Sequence, residues 1–381
     1  AKFTVTGPTS LKVSATGGTD NAGSTDPDNP TTGGDVSAVA AGVATGIGSL
    51  TAKSLDLTVS AQGGTAAGKN ATIQVVASGL NQANYSSNGP TDTAPIQVTG
   101  ATKLNVTAAG GNTTGTGSTS TAQTSATGLV NNIIEDALDP LIAAMELGAV
   151  SGNITATGGT VNAFTANTTA AGAVNGYDIV NHDDTIGGIL SLDSLDLTVT
   201  ATGAKLTGET EYASASAAGV LQDNYSNSQY GNSTLTVTGA TNLQVTATGA
   251  APIDNGTLED AYTQADGLYI IGNRGKSSSY TVADLGPVTA TVTANGGTAN
   301  TQSSKIDTEA IGLYMVNKVA AKSLDLTVSV TGGTVKGATD GAANQGTFET
   351  FAFGIQAEPT NAGLPTTLTV SGAVNLQVTA T

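Results

Sequence analysis

The richest group of candidate metal ligands is an acidic loop near the N-terminus. Asp20, Asp26 and Asp28 fall close together among Asn, Ser, Gly and Pro. Carboxylate and amide oxygens are the ligands that Ca²⁺ prefers, and a flexible loop can fold around the ion. The spacing differs from that of an EF-hand loop, and the same residues also suit a solvated loop with Asx turns. The loop is therefore the one candidate Ca²⁺ site, with a plain polar loop as the alternative.

The single histidine, His182, is followed by Asp183 and Asp184. Imidazole beside carboxylates is suited to acid–base catalysis or metal binding. No second group of catalytic residue types supports a site here, and the chain has one arginine, Arg274, where acidic polysaccharide substrates would need several basic groups. We therefore expect a polar loop rather than an enzyme active site, and we assign no catalytic or cofactor-binding residue.

Three aspartates occupy the same place in a repeated Ser-Leu-Asp-Leu motif, namely Asp56, Asp196 and Asp325. If the three motifs stacked next to one another, their carboxylates would form an acidic row able to bind cations. The alternative is a solubilising charge on the outer face of a strand.

The element that carries these aspartates is a strand with strict alternation. In the stretch 194–203, Leu195, Leu197 and Val199 alternate with Asp196 and Thr198. A period of two places the apolar side chains on one face of a strand and the polar ones on the other. The stretch therefore predicts a half-buried β-strand.

This strand pattern recurs nine times. Its central residues are about 46 residues apart in most cases, and they are Val13, Val59, Val106, Ile154, Val199, Val245, Val292, Val328 and Val378. A second motif, Ala-x-Gly-apolar, occurs once in each gap, as at 77–80 and 217–220. Such an array predicts an all-β solenoid, similar to a parallel β-helix, of about eight to nine repeats. Each repeat would make either one turn with long loops or two turns, and tandem β-sandwich modules are the alternative fold.

The repeats come in three kinds, which recur in a fixed order over much of the chain. One kind has a Val-Thr-Gly turn upstream, a second carries Ser-Leu-Asp-Leu, and a third carries Leu-Gly-x-Val. This order predicts one array over 1–381, built from super-repeats of roughly 1–146, 147–284 and 285–381. One segment departs from the pattern: apolar residues over 129–147 approach helical spacing, which predicts a short helical insertion interrupted at Pro140.

Composition narrows the classes of partner. The net charge is −17, aromatic residues make up 4%, and Trp and Cys are absent. Nucleic acids and anionic lipids are disfavoured partners because both need clusters of Lys and Arg. No apolar run is long enough for a transmembrane helix. The start, Ala1-Lys2-Phe3, enters a strand at once, and we expect a mature terminus left by signal-peptide removal and an extracellular or cell-surface location.

The repeated Leu-x-Val-Thr-Ala-x-Gly-Gly-Thr, followed by Ala-x-Gly-apolar, resembles the passenger regions of bacterial β-helix surface proteins and adhesins. The resemblance covers nearly the whole chain, and its motif is compositional. It implies an exported, elongated β-solenoid with a surface or adhesive role, and it carries over no functional residue.

Strand motifs lie at both extremes of the sequence. The end strand of a repeat array presents unpaired N–H and C=O groups unless it is capped. We therefore predict a self-assembling subunit of an extracellular filament, sheath or surface layer, whose partner is another copy joined head to tail. The expected polymerisation residues are Phe3, Val5, Leu368, Val370, Leu376 and Val378. The alternative is a monomeric adhesin or carbohydrate-binding solenoid whose partners are surface glycans.

Overall fold

The structure is a computed structural model. It describes residues 2–20, 34–45, 49–68, 70–85, 95–115, 120–134, 144–176, 186–222, 233–253, 257–271, 281–300, 305–335, 347–359 and 365–381. In this part of the chain every regular element is a β-strand, and no helix suited to spanning a membrane occurs there.

The strands form three long walls, which we name sheets A, B and C. Sheet A contains β1 (Lys2–Thr16), β4 (Ser49–Gln62), β7 (Ile96–Val98), β8 (Thr102–Ala109), β11 (Ala144–Thr157), β15 (Ile189–Thr202), β18 (Thr234–Val237), β19 (Thr241–Thr248), β22 (Thr281–Asn295), β25 (Lys318–Thr331), β28 (Thr367–Val370) and β29 (Val374–Ala380).

Sheets B and C complete each turn of the chain. Sheet B contains β2 (Thr19–Asp20), β5 (Thr65–Gly68), β9 (Asn112–Gly115), β12 (Thr160–Asn162), β16 (Lys205–Leu206) and β20 (Ala251–Pro252), and β23 (Thr298–Ala299) pairs with β26 (Thr334–Val335) farther along. Sheet C contains β3 (Asp35–Thr45), β6 (Thr72–Tyr85), β10 (Thr121–Ile134), β13 (Thr165–Asn175), β14 (Ile186–Gly187), β17 (Glu209–Gln222), β21 (Thr257–Ile271), β24 (Lys305–Val316) and β27 (Thr347–Glu358).

Each repeat makes one turn, which we call a rung. The chain passes through sheet A, sheet B and sheet C, and then begins the next strand of sheet A. All strand pairs are parallel apart from β10 with β14. Successive repeats share the same sheets, which confirms the predicted all-β solenoid and rules out separate sandwich modules. The strand motif lies in sheet A, and the Ala-x-Gly-apolar motif lies in sheet C.

The central residues of the nine strand motifs stack in one column inside sheet A. Val13 pairs with Val59, and the register continues rung by rung to Val328 and Val378. Val59 and Val328 are each 1% exposed. Burial of a Val or Leu side chain stabilises a fold by roughly 1.5–3 kcal/mol, and this column repeats that burial in every interior rung.

Sheet A bends at the same place in each rung. Ala52 and Leu55 are both buried although only two residues lie between them, so the alternation changes face between them. In the first kind of repeat one more residue lies at the bend, because Val98 pairs with Ala52 and Thr102 pairs with Leu55. An extra residue in one strand interrupts the ladder, as in a β-bulge, and this explains why β7 and β8 are separate strands.

Sheet C has a corresponding irregularity at its glycine. Ala77 and Leu80 both lie in the core, and Gly79 between them has no partner in the register. A Cβ atom on Gly79 would lie 2.6 Å from the carbonyl oxygen of Gly128 in the next rung. The Ala-x-Gly-apolar motif therefore marks a place where the backbones of neighbouring rungs approach too closely for any side chain.

The helix predicted over 129–147 is wrong for the described residues in that range. Residues 129–134 belong to β10, and residues 144–147 belong to β11; residues 135–143 lie outside the described part of the chain. Leu129 pairs with Leu80 and Ala173. The apparent helical spacing arose because two strand ends, each with its own alternation, follow one another closely in the sequence.

A row of buried amide side chains joins the end of sheet C to the start of sheet A. Gln82, Asn131, Asn175 and Gln222 are all fully buried and occupy one column of sheet C. The Asn131 Nδ2 donates to the Asn175 Oδ1 at 3.1 Å, and the Asn175 Nδ2 donates to the Gly188 carbonyl at 3.1 Å. These bonds give the buried amide nitrogens their acceptors and link the end of sheet C to the start of the next strand of sheet A.

Candidate interaction surfaces

The residues predicted to mediate polymerisation lie at the two opposite ends of sheet A. Within the described residues, β1 pairs only with β4, and β28 and β29 pair only with β25. Val5, Leu11, Leu368 and Val370 pack partly against the core, whereas Phe3 is 64% exposed. One edge of each end strand therefore lacks a partner within this part of the chain.

The last strand of sheet A exposes the side chains that are buried in interior rungs. Leu376 is 48% exposed and Val378 is 45% exposed, whereas Leu57 and Val59, in the same columns, are 0% and 1% exposed. The residues therefore keep the interior apolar pattern without the cover that a following rung provides.

The end strands of sheet C also expose large apolar side chains, and most of the phenylalanines lie there. Of the five in the chain, Phe348, Phe351 and Phe353 belong to β27 and Phe3 belongs to β1. Phe348 is 51% exposed and Phe351 is 43% exposed, and Val39 on β3 is 58% exposed. Large apolar side chains at the centre of a contact supply much of the energy of protein association.

The candidate Ca²⁺ site is only partly described. Asp20 ends β2, and its Oδ2 accepts a hydrogen bond from the backbone N–H of Asp35 at 3.2 Å. Asp26 and Asp28 lie outside the described residues, as do His182, Asp183 and Asp184. Among the residues that are described, no three His, Asp or Glu side chains come together to hold a metal ion, and the Ca²⁺ site stays a prediction.

Asp56, Asp196 and Asp325 lie in one outer column of sheet A, but they are not neighbours. Lys103 and Ser151 lie between the first two, and Asn242 and Thr289 lie between the second and the third. Consecutive carboxylates are three rungs apart, or about 14 Å at the usual strand spacing. The predicted acidic row is therefore wrong, because the Ser-Leu-Asp-Leu repeats alternate with the other kinds.

The outer face of sheet A carries a hydroxyl group in every rung of one column. Its members are Ser14, Ser60, Thr107, Thr155, Thr200, Thr246, Thr293, Ser329 and Thr379. Farther along the same rungs, at the bend of sheet A, lies an open groove of about 400 Å³ whose lining includes Gln97, Glu146, Asp193 and Thr238. The Gln97 Nε2 donates to the Glu146 Oε2 at 3.1 Å. Hydroxyl, amide and carboxylate groups of this kind bind polar ligands such as sugars.

Sequence reasoning missed a buried acid on sheet C. Asp266 is 3% exposed, and its register neighbours are Ala218 and Ile311. Burial raises the pKa of Asp266 well above its ordinary value, the charge of Glu309 adds to the increase, and a hydrogen bond with Gln264 opposes it. Burial also raises the pKa of Glu309. Sequence reasoning missed Asp266 because it lies on the outer face of sheet C, and the alternation of the sequence predicts that residues on this face are exposed to solvent.

Comparison of the sequence with protein-family models, with curated proteins and with solved structures finds no match. The coarser part of the resemblance, a parallel β-solenoid, is established by the strand order itself. Any surface or adhesive role rests on the geometry described above.

Proposed function

We propose that this protein is a structural subunit that assembles head to tail into an extracellular filament, sheath or surface layer. The observation that carries the proposal is the exposed apolar edge of β29, where Leu376 and Val378 are nearly half exposed. These side chains repeat the pattern of interior rungs, so a further rung would bury them in the same way. Another copy of the chain supplies such a rung from the opposite end of its own column.

The strand directions at the two edges support a parallel, head-to-tail contact between copies. Every pair of strands in sheet A is parallel, and β1 and β29 lie at opposite ends of that sheet. An interface between two different surfaces of the same subunit generates filaments when the rotation does not close into a ring. Addition of a strand to an open edge provides backbone hydrogen bonds for affinity, and the alternating side chains provide specificity.

The test compares two substitutions on the same strand. Leu376→Lys places a charge on the inner, apolar column, whereas Gln377→Lys places it on the outer face. Negative-stain electron microscopy of the purified chain should show filaments for the unchanged protein and for Gln377→Lys. It should show single particles for Leu376→Lys, because a buried unpaired ammonium opposes rung addition. Single particles for the unchanged protein would refute the proposal.

A second candidate function is binding of surface glycans by a monomeric solenoid. The observation that favours it is the hydroxyl-bearing outer face of sheet A together with the groove at the bend, which is lined by Gln97 and Glu146. A glycan array probed with Leu376→Lys, which should remain monomeric, separates the two functions. Retention of specific glycans by that variant supports binding, and no signal above that of an unrelated acidic protein removes this candidate.

A further inference from the structure

We infer that two copies join by strand exchange, with β28 and β29 of one copy occupying the place that β1 holds in the next copy. This inference rests on the proposed head-to-tail assembly and specifies its joint. In the joint, β29 lies between β25 of its own copy and β4 of the next, and the β1 strand of the second copy leaves the column.

The first argument is that the two end strands are equivalent in sequence. Residues 367–381 align with residues 2–16 without a gap, and seven positions are identical. The shared residues are Thr4 and Thr369, Val5 and Val370, Gly7 and Gly372, Leu11 and Leu376, Val13 and Val378, Ala15 and Ala380, and Thr16 and Thr381. The β29 strand therefore presents to a neighbour nearly the same columns as β1.

The second argument is that both end strands already pair with the same kind of strand in the same register. Leu11 and Val13 of β1 pair with Leu57 and Val59 of β4. Leu376 and Val378 of β29 pair with Leu326 and Val328 of β25. Both β4 and β25 carry Ser-Leu-Asp-Leu, so β29 meets at β4 the partner type that it has at β25.

The third argument comes from the number of rungs in each wall. The continuous path of sheet A contains nine rungs, from β1 to β28, and that of sheet C contains eight strands, from β3 to β27. If β29 were simply added to β1 of the next copy, sheet A would continue while sheet C would lack one strand at the joint. The opening would be about 4.8 Å wider than a normal strand spacing, and the facing edges of β27 and β3 would stay unpaired.

Exchange removes this opening, because one strand then fills the shared rung in sheet A. The strand β27 lies directly beside β3 of the next copy, and every wall continues with eight rungs per copy. The register carried through sheet C places Phe348 beside Val36 and Phe351 beside Val39. These are side chains of the last and first strands, and three of them are among the exposed large apolar residues.

The strand that must leave is incompletely buried in a single copy. No side chain described in β1 is fully buried, whereas interior strands such as β15 bury every inward residue. The displaced contacts with β4 are replaced by β29 in the same register. The exchange therefore adds the pairing of β27 with β3, while β4 keeps a partner strand in the same register.

Paired cysteines distinguish exchange from simple addition. The chain contains no cysteine, and the outer residues Ser10, Asp56 and Asn375 are all exposed. Exchange places Asn375 of one copy beside Asp56 of the next, because Ser10 pairs with Asp56 in β1 and β4. Simple addition places Asn375 beside Ser10 and leaves Asp56 two rungs away, about 10 Å, which is beyond the reach of a disulfide. Within one copy neither pair can form, since at least seven rungs separate the positions.

The experiment oxidises assembled Asp56→Cys/Asn375→Cys, Ser10→Cys/Asn375→Cys and Asn375→Cys proteins and separates them on a non-reducing gel. We expect a ladder of covalent multimers for the first variant, with little for the second and none for the third. A ladder mainly in the second variant overturns exchange in favour of addition, and dimers in the third indicate a tail-to-tail joint. Filaments with no crosslinks in any variant also overturn the inference. Absence of filaments from the unchanged protein refutes the proposed function instead.

Discussion

At the scale of single residues, the charged form of Asp266 destabilises the folded protein. Its carboxyl lies in an apolar column between Ala218 and Ile311, and within the described part of the chain its Oδ1 has no hydrogen-bond partner. A carboxyl buried in this way retains its proton in the folded protein at pH values where the unfolded chain has released it. This residue therefore links stability to pH.

We expect Asp266→Asn to raise the free energy of unfolding at pH 7, because the amide does not ionise; the gain is about 1.4 kcal/mol for each unit by which the pKa of Asp266 rises on folding, up to pH 7. The ordinary pKa is 3.8, and the pKa in the folded state is higher. Stability contributed by this group is therefore complete below about pH 4 and declines as the pH rises toward the raised pKa. Chemical denaturation at pH 4 and pH 7 should show a smaller difference for the variant than for the unchanged protein.

The matched control is Asp196→Asn, which removes an exposed carboxylate from the outer face of sheet A. This change should leave the free energy of unfolding within about 0.5 kcal/mol of its starting value. A stability for Asp266→Asn at pH 7 that equals or falls below that of the unchanged protein would contradict the account of Asp266.

At the scale of elements, the buried amide row links sheet C to sheet A through side-chain hydrogen bonds. The Asn175 Nδ2 donates to the carbonyl oxygens of Gly188 and Thr234, at 3.1 and 3.3 Å. Its Oδ1 accepts from Asn131. The row ends where Ile270 and Met315 take the same column, so this connection differs between the two halves of the solenoid.

We expect Asn175→Ala to destabilise the rungs around it by about 1–3 kcal/mol, because the buried Asn131 amide loses an acceptor and two hydrogen bonds to backbone carbonyls are removed. Hydrogen exchange should be faster at the amides of β13 and β15 than at those of β24 and β25, since rungs in a repeat array are stabilised mainly by their neighbours. Asn153→Ala, at an exposed position on β11, is the control. Uniform acceleration along the column, or none at β13, would contradict this role.

The strands were predictable because each depends on a local alternation. Leu195, Leu197 and Val199 lie inward as the period of two requires, and the recurring central Val or Ile of each strand motif indicated the register. The bend at residues 53–54 and the irregularity at Gly79 were harder to predict, because each reverses the alternation through contact with another rung. The burial of Asp266 and the hydrogen-bond partners of Asn175 also depend on contacts between rungs, so the local sequence pattern does not predict them.

The helix expected over 129–147 shows why short apolar runs mislead. Residues 129–134 finish one strand and residues 144–147 begin another. Two strands with different inward positions mimic a period near 3.6 when their ends are read as one segment. Strands β1 and β29 lie at the ends of the column, and their role in polymerisation stays a prediction. The acidic row was wrong because its assessment required knowledge of which repeats are adjacent.

At the scale of the whole molecule, the column has one axis, along which all rungs stack. Neighbouring strands are about 4.8 Å apart along this direction, and head-to-tail assembly extends the same axis through every copy. Strand exchange gives eight rungs per copy, or about 38 Å of filament length at that spacing. Simple addition gives nine rungs, or about 43 Å.

The most direct test is diffraction from aligned filaments of the chain, either by X-rays or from averaged electron images. We expect a strong reflection at about 4.8 Å on the meridian, parallel to the filament axis, because the strands run across that axis. A subunit repeat of about 38 Å should accompany it. A 4.8 Å reflection on the equator would mean that rungs do not stack along the filament, and this result would contradict the account.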